Sequence, residues 1–265
     1  MARAEIGVFG GSGFYSFLED VEEVEVETPF GKPSAPVTIG AVGGTRVAFL
    51  PRHGRRHEFP AHRIPYRANV WAMKELGVRR LLGPCAAGAL QADLGLGEFV
   101  VCDQFVDRTR GRADTFYDGG EEPVTHVSAA DPYCPDLREV LVATARELGI
   151  AVRDAGTVVV IQGPRFSTRA ESAWFSGQGW HVVNMTAYPE CHLARELELC
   201  YANVSMVTDH DAGVPGTAPV SGEEVLRVFQ ENLARLRELL FAVLPKIGPQ
   251  PAEHLCATAL RGAQL

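Results

Sequence analysis

A run of basic residues stands out in an acidic chain, whose formal net charge is −8. Residues 51–57 read PRHGRRH, with three arginines and two histidines directly after an apolar run. Arginine offers a planar fork of donors that suits phosphate, so the segment predicts an anion site. A solvated basic loop is the alternative. His53 and His57 have i, i+4 spacing, but the segment lacks a helical pattern and does not indicate a metal site.

Two carboxylates lie close together at the end of another apolar run. Asp209 and Asp211 occupy alternate positions in the sequence VTDHD. In an extended backbone their side chains face the same way, which would let them act in one site. Acidic turn residues would give the same pattern, and the segment alone leaves both interpretations open. His210, between them, is interpreted as solvated or structural.

Four further segments follow predicted strands and carry residue types suited to ligand contact. GGSG at 10–13 could bring N–H groups to an anion, although a tight turn would use the same glycines. PCAAGA at 84–89 predicts a loop whose amides approach a ligand, or close strand–helix packing. Phe166 is predicted to stack on a flat base or to pack in the core. VNMT at 183–186 ends another predicted strand.

Alternating strands and helices must position these segments. Apolar and β-branched runs predict strands, and apolar residues at helical spacing predict helices. The predicted strands are 6–9, 37–42, 46–50, 79–82, 99–105, 158–161, 181–183 and 201–208, with a hairpin turn at Gly43-Gly44. The predicted helices are 63–76, 137–148, 170–175, 189–197, a long one from a capping box at Ser221 to about 244, and a short amphipathic segment near 253–260. This alternation predicts one α/β domain with a largely parallel or mixed sheet and ligands at the strands' carboxyl ends.

Composition narrows the function classes. At 265 residues the chain is long enough for one α/β domain with a large core. The acidic balance argues against a nucleic-acid-binding protein. No run approaches the length of a membrane span, and the start lacks an apolar signal segment. Because the six cysteines include no C-x-x-C pair, we expect buried, reduced thiols in a cytoplasmic protein.

Eight segments in the same order resemble the methylthioadenosine phosphorylases and their trimeric purine nucleoside phosphorylase relatives. The segments are GGSGFY, ETPFGKPS, PRHGRRH, DQFVDRT, FYDG, QGPRFSTRAE, VVNMTAYPE and TDHDAG. The similarity runs from about Glu5 to Gly248, nearly the whole chain. No single motif would suffice, but their common order makes the resemblance specific.

The resemblance implies a purine nucleoside phosphorylase-like fold over residues 1–265, a single α/β domain with a central mixed sheet flanked by helices. It implies a homotrimer that binds a purine nucleoside and uses inorganic phosphate as co-substrate, with no metal and no organic cofactor. Catalytic roles fall to Asp209 and His53. Phosphate would be bound by Ser12, Arg52, His53, the Ala86 amide and Thr186. The nucleoside would contact Phe166, Asn184, Met185, Asp209, Asp211, His57, Val225 and Leu226.

The expected reaction is phosphorolysis of 5′-methylthioadenosine to adenine and 5-methylthioribose 1-phosphate. Glycosidic cleavage passes through an oxocarbenium-like transition state, and phosphate must be held close beneath C1′. We expect burial to raise the pKa of Asp209, so that it donates a proton to purine N7. An ionised Asp211 only accepts hydrogen bonds and therefore favours the 6-amino group of adenine over a 6-oxo group.

Three departures from the family pattern leave the substrate partly open. Pro84 and Cys85 stand where relatives often have two threonines, and Gly222 replaces a valine that lines the 5′ pocket. The chain also ends at Leu265, before the segment that closes a neighbouring 5′ site in longer relatives. Inosine or guanosine, 5′-deoxyadenosine, halogenated analogues and adenosine are therefore alternative substrates. A nucleosidase, a nicotinamide-dependent oxidoreductase and a non-catalytic nucleoside-binding protein are the alternatives outside this reaction.

Overall fold

Eleven strands and five α-helices alternate along the part of the chain that the computed structural model describes, residues 3–10, 19–120, 123–212 and 220–264. The strands are β1 (Ile6–Phe9), β2 (Glu19–Val24), β3 (Val37–Val42), β4 (Thr45–Leu50), β5 (Arg80–Ala89), β6 (Phe99–Val101), β7 (Gln104–Arg108), β8 (Val152–Arg153), β9 (Thr157–Ile161), β10 (Val182–Asn184) and β11 (Cys200–His210). The helices are α1 (Tyr66–Glu75), α2 (Pro135–Glu147), α3 (Arg169–Gly177), α4 (Ala187–Glu196) and α5 (Gly222–Val243). Short 3₁₀ turns lie at Ala61–Arg63 and Leu244–Lys246.

All of these strands belong to one mixed sheet, as the sequence predicts. Its main path runs β2-β3-β4-β1-β5-β10-β9-β7, and β11 and β6 extend from β5 as a branch. β1 pairs in parallel with β4 and β5, and β11 pairs in parallel with β5 over its whole length. β10 pairs antiparallel with β5. The carboxyl ends of β1, β4, β5 and β11 therefore lie at one edge of the sheet.

Two apolar layers hold helices on opposite faces of this sheet. In β4, Val47 and Phe49 belong to one buried cluster, while Ala48 and Leu50 belong to another. Successive side chains of a strand point to opposite faces, so the two clusters lie on the two faces. The cluster of Val47 and Phe49 includes side chains of α2 and α5, and the cluster of Ala48 and Leu50 includes those of α1 and α4. The observed fold is thus a single α/β domain with a central mixed sheet flanked by helices.

The predicted hairpin between β3 and β4 is confirmed. Val42 pairs with Thr45 across a two-residue loop. Gly43 and Gly44 both have positive φ, +54° and +81°. A two-residue hairpin of this type needs positive φ at both central positions, which glycine adopts without a steric penalty.

Several predicted bounds differ from the structure. The small-residue run at 84–89 is not a loop: it is the second half of β5, which spans Arg80–Ala89. Its small side chains fit there because the strand is covered on both faces. The single strand predicted at 99–105 is two strands, β6 and β7, and the predicted amphipathic segment near 253–260 consists of turns. β2 and β8 were not predicted, since β2 is acidic (EDVEEV) and β8 has only two residues.

In the described ranges, no helix combines the length and apolar character needed to cross a bilayer.

Candidate active site

Segments of β4, β5 and β11 meet at the edge formed by the carboxyl ends of these parallel strands. The segments that follow β9 and β10, which run antiparallel to β5, reach the same region. Arg52 follows the end of β4, and Asp209 lies near the end of β11. Asp209 is in register with Gly88 of β5. Val183 of β10 pairs with the same Gly88 from the other side. Three strands thus converge on Gly88.

One cavity of about 1010 Å³ opens at this edge. It is lined by all the predicted site residues that fall in the described part of the chain: Arg52, His53, His57, Ala86, Phe166, Asn184, Met185, Thr186, Asp209, Asp211, Val225 and Leu226. Ser12, the remaining predicted phosphate ligand, lies outside the described residues. Gly10, two residues before it, also lines the cavity. The cavity size suits a small-molecule ligand.

Arg52 is buried and fixed by an ion pair with Glu190 of α4. Its Nε and Nη2 donate to the two Glu190 carboxylate oxygens at 2.6 and 2.8 Å. Nη1 donates to the carbonyl oxygen of Pro84 at 3.0 Å. A guanidinium has five N–H groups, so two remain for a ligand after these three bonds. Glu190 also accepts from the Tyr201 hydroxyl at 2.7 Å, which fixes the carboxylate as well.

His53 is a neutral imidazole at pH 7. Burial, together with the nearby charge of Arg52, lowers its pKa to about 4. Nδ1 lies 2.8 Å from the carbonyl oxygen of Phe59 and donates to it. In the neutral ring the other nitrogen, Nε2, is then an acceptor. His53 therefore suits a hydroxyl or a protonated phosphate oxygen as its partner, and it is not one of the cations that the basic segment predicted.

The rest of the basic segment is largely solvated. Arg55 is exposed and pairs with Glu23 at 2.5 Å. Arg56 and His57 are also exposed. His57 stacks on His53, with ring centroids 4.2 Å apart, and in this way reaches the cavity mouth. The structure thus combines both interpretations, because Arg52 is buried in the site while its neighbours form a polar rim.

Asp209 and Asp211 are both buried beside Gly88. They are only 6% and 2% exposed. A Cβ at Gly88 would lie 2.8 Å from Asp209 Oδ1 and 3.4 Å from Asp211 Cβ. The glycine therefore allows the Asp209 carboxyl group to approach β5 closely, and Asp211 lies beside it at ordinary contact distance. A register shift in β11 between Val207 and Asp209 marks the same point.

The two carboxyl groups differ in their surroundings. Burial raises the pKa of Asp209 to about 6, and the negative charge of Asp211 adds to this effect. Thr208 donates to Asp209 Oδ2 at 2.9 Å and partly opposes the shift. Asp211 Oδ2 is buried and has no hydrogen-bond partner in the described part of the chain. A buried acceptor without a partner costs about 1–3 kcal/mol, so a ligand donor at this position would be stabilising.

Asn184 shapes the segment that joins β10 to α4. Its Oδ1 accepts from the backbone N–H groups of Thr186 and Ala187, both at 3.3 Å. Its Nδ2 donates to the Cys85 sulfur at 3.1 Å. Cys85, one of the departures from the family pattern, is thus a hydrogen-bond acceptor in the wall of the cavity. These bonds fix Met185 and Thr186 at the cavity surface.

The side of the cavity formed by α5 and Phe166 is more open than the side formed by the buried polar groups. Val225 and Leu226 lie in the first turns of α5, whose N-terminus is capped by the Ser221 hydroxyl accepting from the Glu224 N–H at 3.2 Å. Leu226 is 56% exposed and Phe166 is 38% exposed. Gly222 also lines this side, where a glycine leaves room for a larger substituent.

Sequence reasoning missed the role of Glu190. The residue lies in the quoted segment VVNMTAYPE, but no function was given to it. A signal was available, because an arginine predicted in a buried site needs a nearby countercharge. Which acidic residue supplies it could not be read from the sequence, since the two positions are 138 residues apart.

Comparisons with known proteins agree with this geometry. The Phosphorylase superfamily profile matches residues 5–245. A protein of Streptomyces coelicolor named purine nucleoside phosphorylase is 55% identical over 98% of this chain and 95% of its own length. An S-methyl-5′-thioadenosine phosphorylase of Mycolicibacterium smegmatis is 54% identical over 98% and 97%. The solved structure of the Schistosoma mansoni methylthioadenosine phosphorylase with adenine superposes with a TM-score of 0.92, at 36% identity over 98% and 99% of the two chains.

Fold and site together define a nucleoside-phosphorylase-like α/β enzyme. The chain belongs to the Phosphorylase superfamily.

The raised pKa of Asp209 predicts a pH-dependent stability that Asp209→Asn removes. Folded Asp209 keeps its proton up to about pH 6, whereas the unfolded chain loses it near the ordinary value of 3.8. The native state binds more protons in this window, so rising pH lowers the free energy of unfolding, by about 3 kcal/mol in total. Urea unfolding between pH 4 and 7 should show this loss in the wild type and not in the variant. The exposed Asp131→Asn is the control and should follow the wild type; an identical pH dependence in all three proteins would contradict the assignment.

Proposed function

We propose that the chain catalyses the phosphorolysis of 5′-methylthioadenosine, giving adenine and 5-methylthioribose 1-phosphate. The observation that carries this proposal is one cavity lined by a fixed arginine and by a carboxyl group that can be protonated. Several relatives about 50% identical over nearly the whole chain are named S-methyl-5′-thioadenosine phosphorylases. The reaction needs no organic cofactor or metal in this cavity, since phosphate is the second substrate.

Arg52 is the proposed anchor for phosphate. Its ion pair with Glu190 leaves two N–H groups for an anion and prevents the side chain from turning away. Ser12, Thr186 and the Ala86 amide are the other proposed ligands. Neutral His53 would accept a hydrogen bond from a ribose hydroxyl or from protonated phosphate. Holding the anion in place before reaction replaces a bimolecular encounter by an oriented one, which contributes up to ~7–11 kcal/mol.

Asp209 is the proposed acid for the departing purine. At neutral pH a carboxyl group with a pKa of about 6 is protonated in a minor but substantial fraction. A purine seated in the cavity would exclude water and favour the neutral form further. The carboxyl then donates to N7, so that the base leaves without a full negative charge. General acid catalysis of this kind contributes typically ~10²–10⁴ in rate.

Asp211 is the proposed reader of the base. Its unpartnered, buried oxygen would accept a hydrogen bond from the 6-amino group of adenine. A 6-oxo group has no proton to give there, and two acceptors would face each other. Inosine or guanosine phosphorolysis is the second candidate function, because the relative from Streptomyces coelicolor is named purine nucleoside phosphorylase.

We also propose a cytoplasmic homotrimer. Phe166 and Leu226, two proposed substrate contacts, are 38% and 56% exposed in the single chain. Exposed apolar side chains at the rim of a site are typical of surfaces that a neighbouring subunit covers. A partner at this rim would enclose the 5′ end of the nucleoside, where Gly222 leaves room for a methylthio group.

A nucleoside panel tests the proposed function. Purified protein is incubated with methylthioadenosine, 5′-deoxyadenosine, adenosine, inosine and guanosine, with and without phosphate, and release of free base is followed. We expect base release only with phosphate, and fastest from methylthioadenosine. Asp209→Ala should lower kcat by ~10²-fold or more while circular dichroism stays unchanged. Faster cleavage of inosine would contradict the substrate, and base release without phosphate would indicate a nucleosidase.

Asp211→Asn tests the origin of base preference. An amide can donate to a 6-oxo group, so the variant should lose preference for adenine nucleosides. One charge-assisted hydrogen bond contributes ~1.5–3 kcal/mol, so the ratio of kcat/KM for adenosine over inosine should fall by roughly 10- to 100-fold. Asp209→Asn is the matched control and should slow both substrates without changing their ratio. An unchanged ratio in Asp211→Asn would show that another group reads the base.

A further inference from the structure

Three cysteines and a histidine converge at the end of the sheet opposite the cavity. We call Cys134, Cys200, His254 and Cys256 the thiol–imidazole cluster. One potential ligand atom from each lies within 4.8 Å of all the others. The three cysteines are at most 2% exposed and the histidine side chain is 8% exposed. The side chains come from three separate parts of the chain, so no short sequence spacing indicated the cluster.

We infer that this cluster binds one zinc ion. Three thiolates and one imidazole are a common ligand set of structural zinc sites, which are tetrahedral and have no open position. Zn–S bonds of ~2.3 Å imply ligand separations of roughly 3.8 Å in a tetrahedron. The observed separations include 3.5 Å between Cys200 Sγ and His254 Nδ1. Small side-chain rotations would therefore bring the four ligand atoms, which all lie within 4.8 Å of one another, to bonding positions.

The surroundings of His254 match those of a metal-binding histidine. Its Nε2 lies 3.2 Å from Asp136 Oδ2, and a proton on Nε2 would be donated to that carboxylate. Nδ1 is then unprotonated. It lies 3.5 Å from the Cys200 sulfur and accepts from the Cys256 backbone N–H at 3.1 Å, a hydrogen bond that a bound zinc ion would replace. A carboxylate behind the imidazole is the usual partner of a zinc-binding histidine, because it fixes the ring and its tautomer.

Arg80 supplies the charge that such a site needs. It is 5% exposed, and its Nη1 lies 3.1 Å from Cys200 Sγ and 3.7 Å from Cys134 Sγ. A zinc ion with three thiolates carries one net negative charge, which a guanidinium at this distance would stabilise. The same Nη1 also lies 3.5 Å from Asp136 Oδ2, so Arg80 contacts both the thiols and the carboxylate behind His254.

The proposed zinc is structural and separate from the reaction. Cys200 begins β11 and Asp209 lies near its end, so the cluster is about 30 Å from the catalytic carboxyl at ~3.3 Å per residue. Cys134 directly precedes α2, and its N–H donates to the Tyr201 carbonyl of β11 at 2.8 Å. His254 and Cys256 lie in the C-terminal turns, which contain no helix or strand between 248 and 264. The ion would tie this segment to α2 and β11.

Metal analysis tests the inference. The full chain is produced without a histidine tag in zinc-supplemented medium, and metal is measured by mass spectrometry. We expect close to one zinc per chain. Cys256→Ser should lose most of it, whereas Cys191→Ser, a buried cysteine outside the cluster, should keep it. Equal zinc in the two variants would overturn the inference.

Two measurements on the wild type keep the test independent of variant folding. Cobalt added after zinc removal should give the strong visible and near-ultraviolet bands of tetrahedral cobalt–thiolate coordination. Zinc removal should lower Tm by roughly 10 °C or more while phosphorolysis at 25 °C, for which no zinc ligand is required, continues. Wild-type protein without zinc or cobalt bands would overturn the inference. A disulfide in the cluster would also overturn the inference. It would show as a protein mass lower by two hydrogens and as two fewer titratable thiols.

Discussion

Arg52 and Glu190 are buried together, and each depends on the other. An isolated charge in this position would cost several kcal/mol, and removal of one partner from such a pair typically costs about 3–5 kcal/mol. The bidentate contact at 2.6 and 2.8 Å also sets the plane of the guanidinium. Because Arg52 follows β4 and Glu190 lies in α4, the pair fixes the helix against the carboxyl edge of the sheet. The Arg52–Glu190 pair therefore also sets the position of the cavity and places the guanidinium on one side of it.

The acidic side of the cavity follows from a second constraint, the absence of a side chain at Gly88. Asp209 packs this closely against β5 because no Cβ occupies that point, from which its Oδ1 is only 2.8 Å away, and Asp211 packs beside it. Their burial makes one carboxyl easy to protonate and leaves an oxygen of the other without a partner. A buried guanidinium and a carboxyl group that can be protonated thus face one space, and these are the two groups on which the proposed phosphorolysis depends. Burying these two acidic groups lowers the stability of the fold, a cost that is typical of functional sites.

Much of this arrangement could be predicted from the sequence. Apolar runs and helical spacing gave the alternating elements, and strand ends gave the edge at which Arg52 and Asp209 meet. Residues whose neighbours lie far along the chain could not be placed: Glu190 is 138 positions from Arg52, and the ligands of the thiol–imidazole cluster come from three segments. Protonation states could not be predicted from the sequence either, because they depend on the burial of each group in the folded chain. His53 is neutral because it is buried, and its Nδ1 donates to the Phe59 carbonyl oxygen; its basic neighbours in the sequence did not indicate this state. For the small-residue run at 84–89 the sequence left open a loop or close strand–helix packing, because small side chains suit both loops and tightly covered strands.

A crystal structure with phosphate and an uncleaved adenosine analogue that retains the purine N7 tests the central claim most directly. The account predicts phosphate oxygens within about 3 Å of Arg52 N–H groups that Glu190 does not use. It also predicts the purine edge within hydrogen-bond distance of Asp209 and Asp211, with the sugar between the two. Phosphate bound elsewhere, with Arg52 contacting only Glu190 and Pro84, would contradict it.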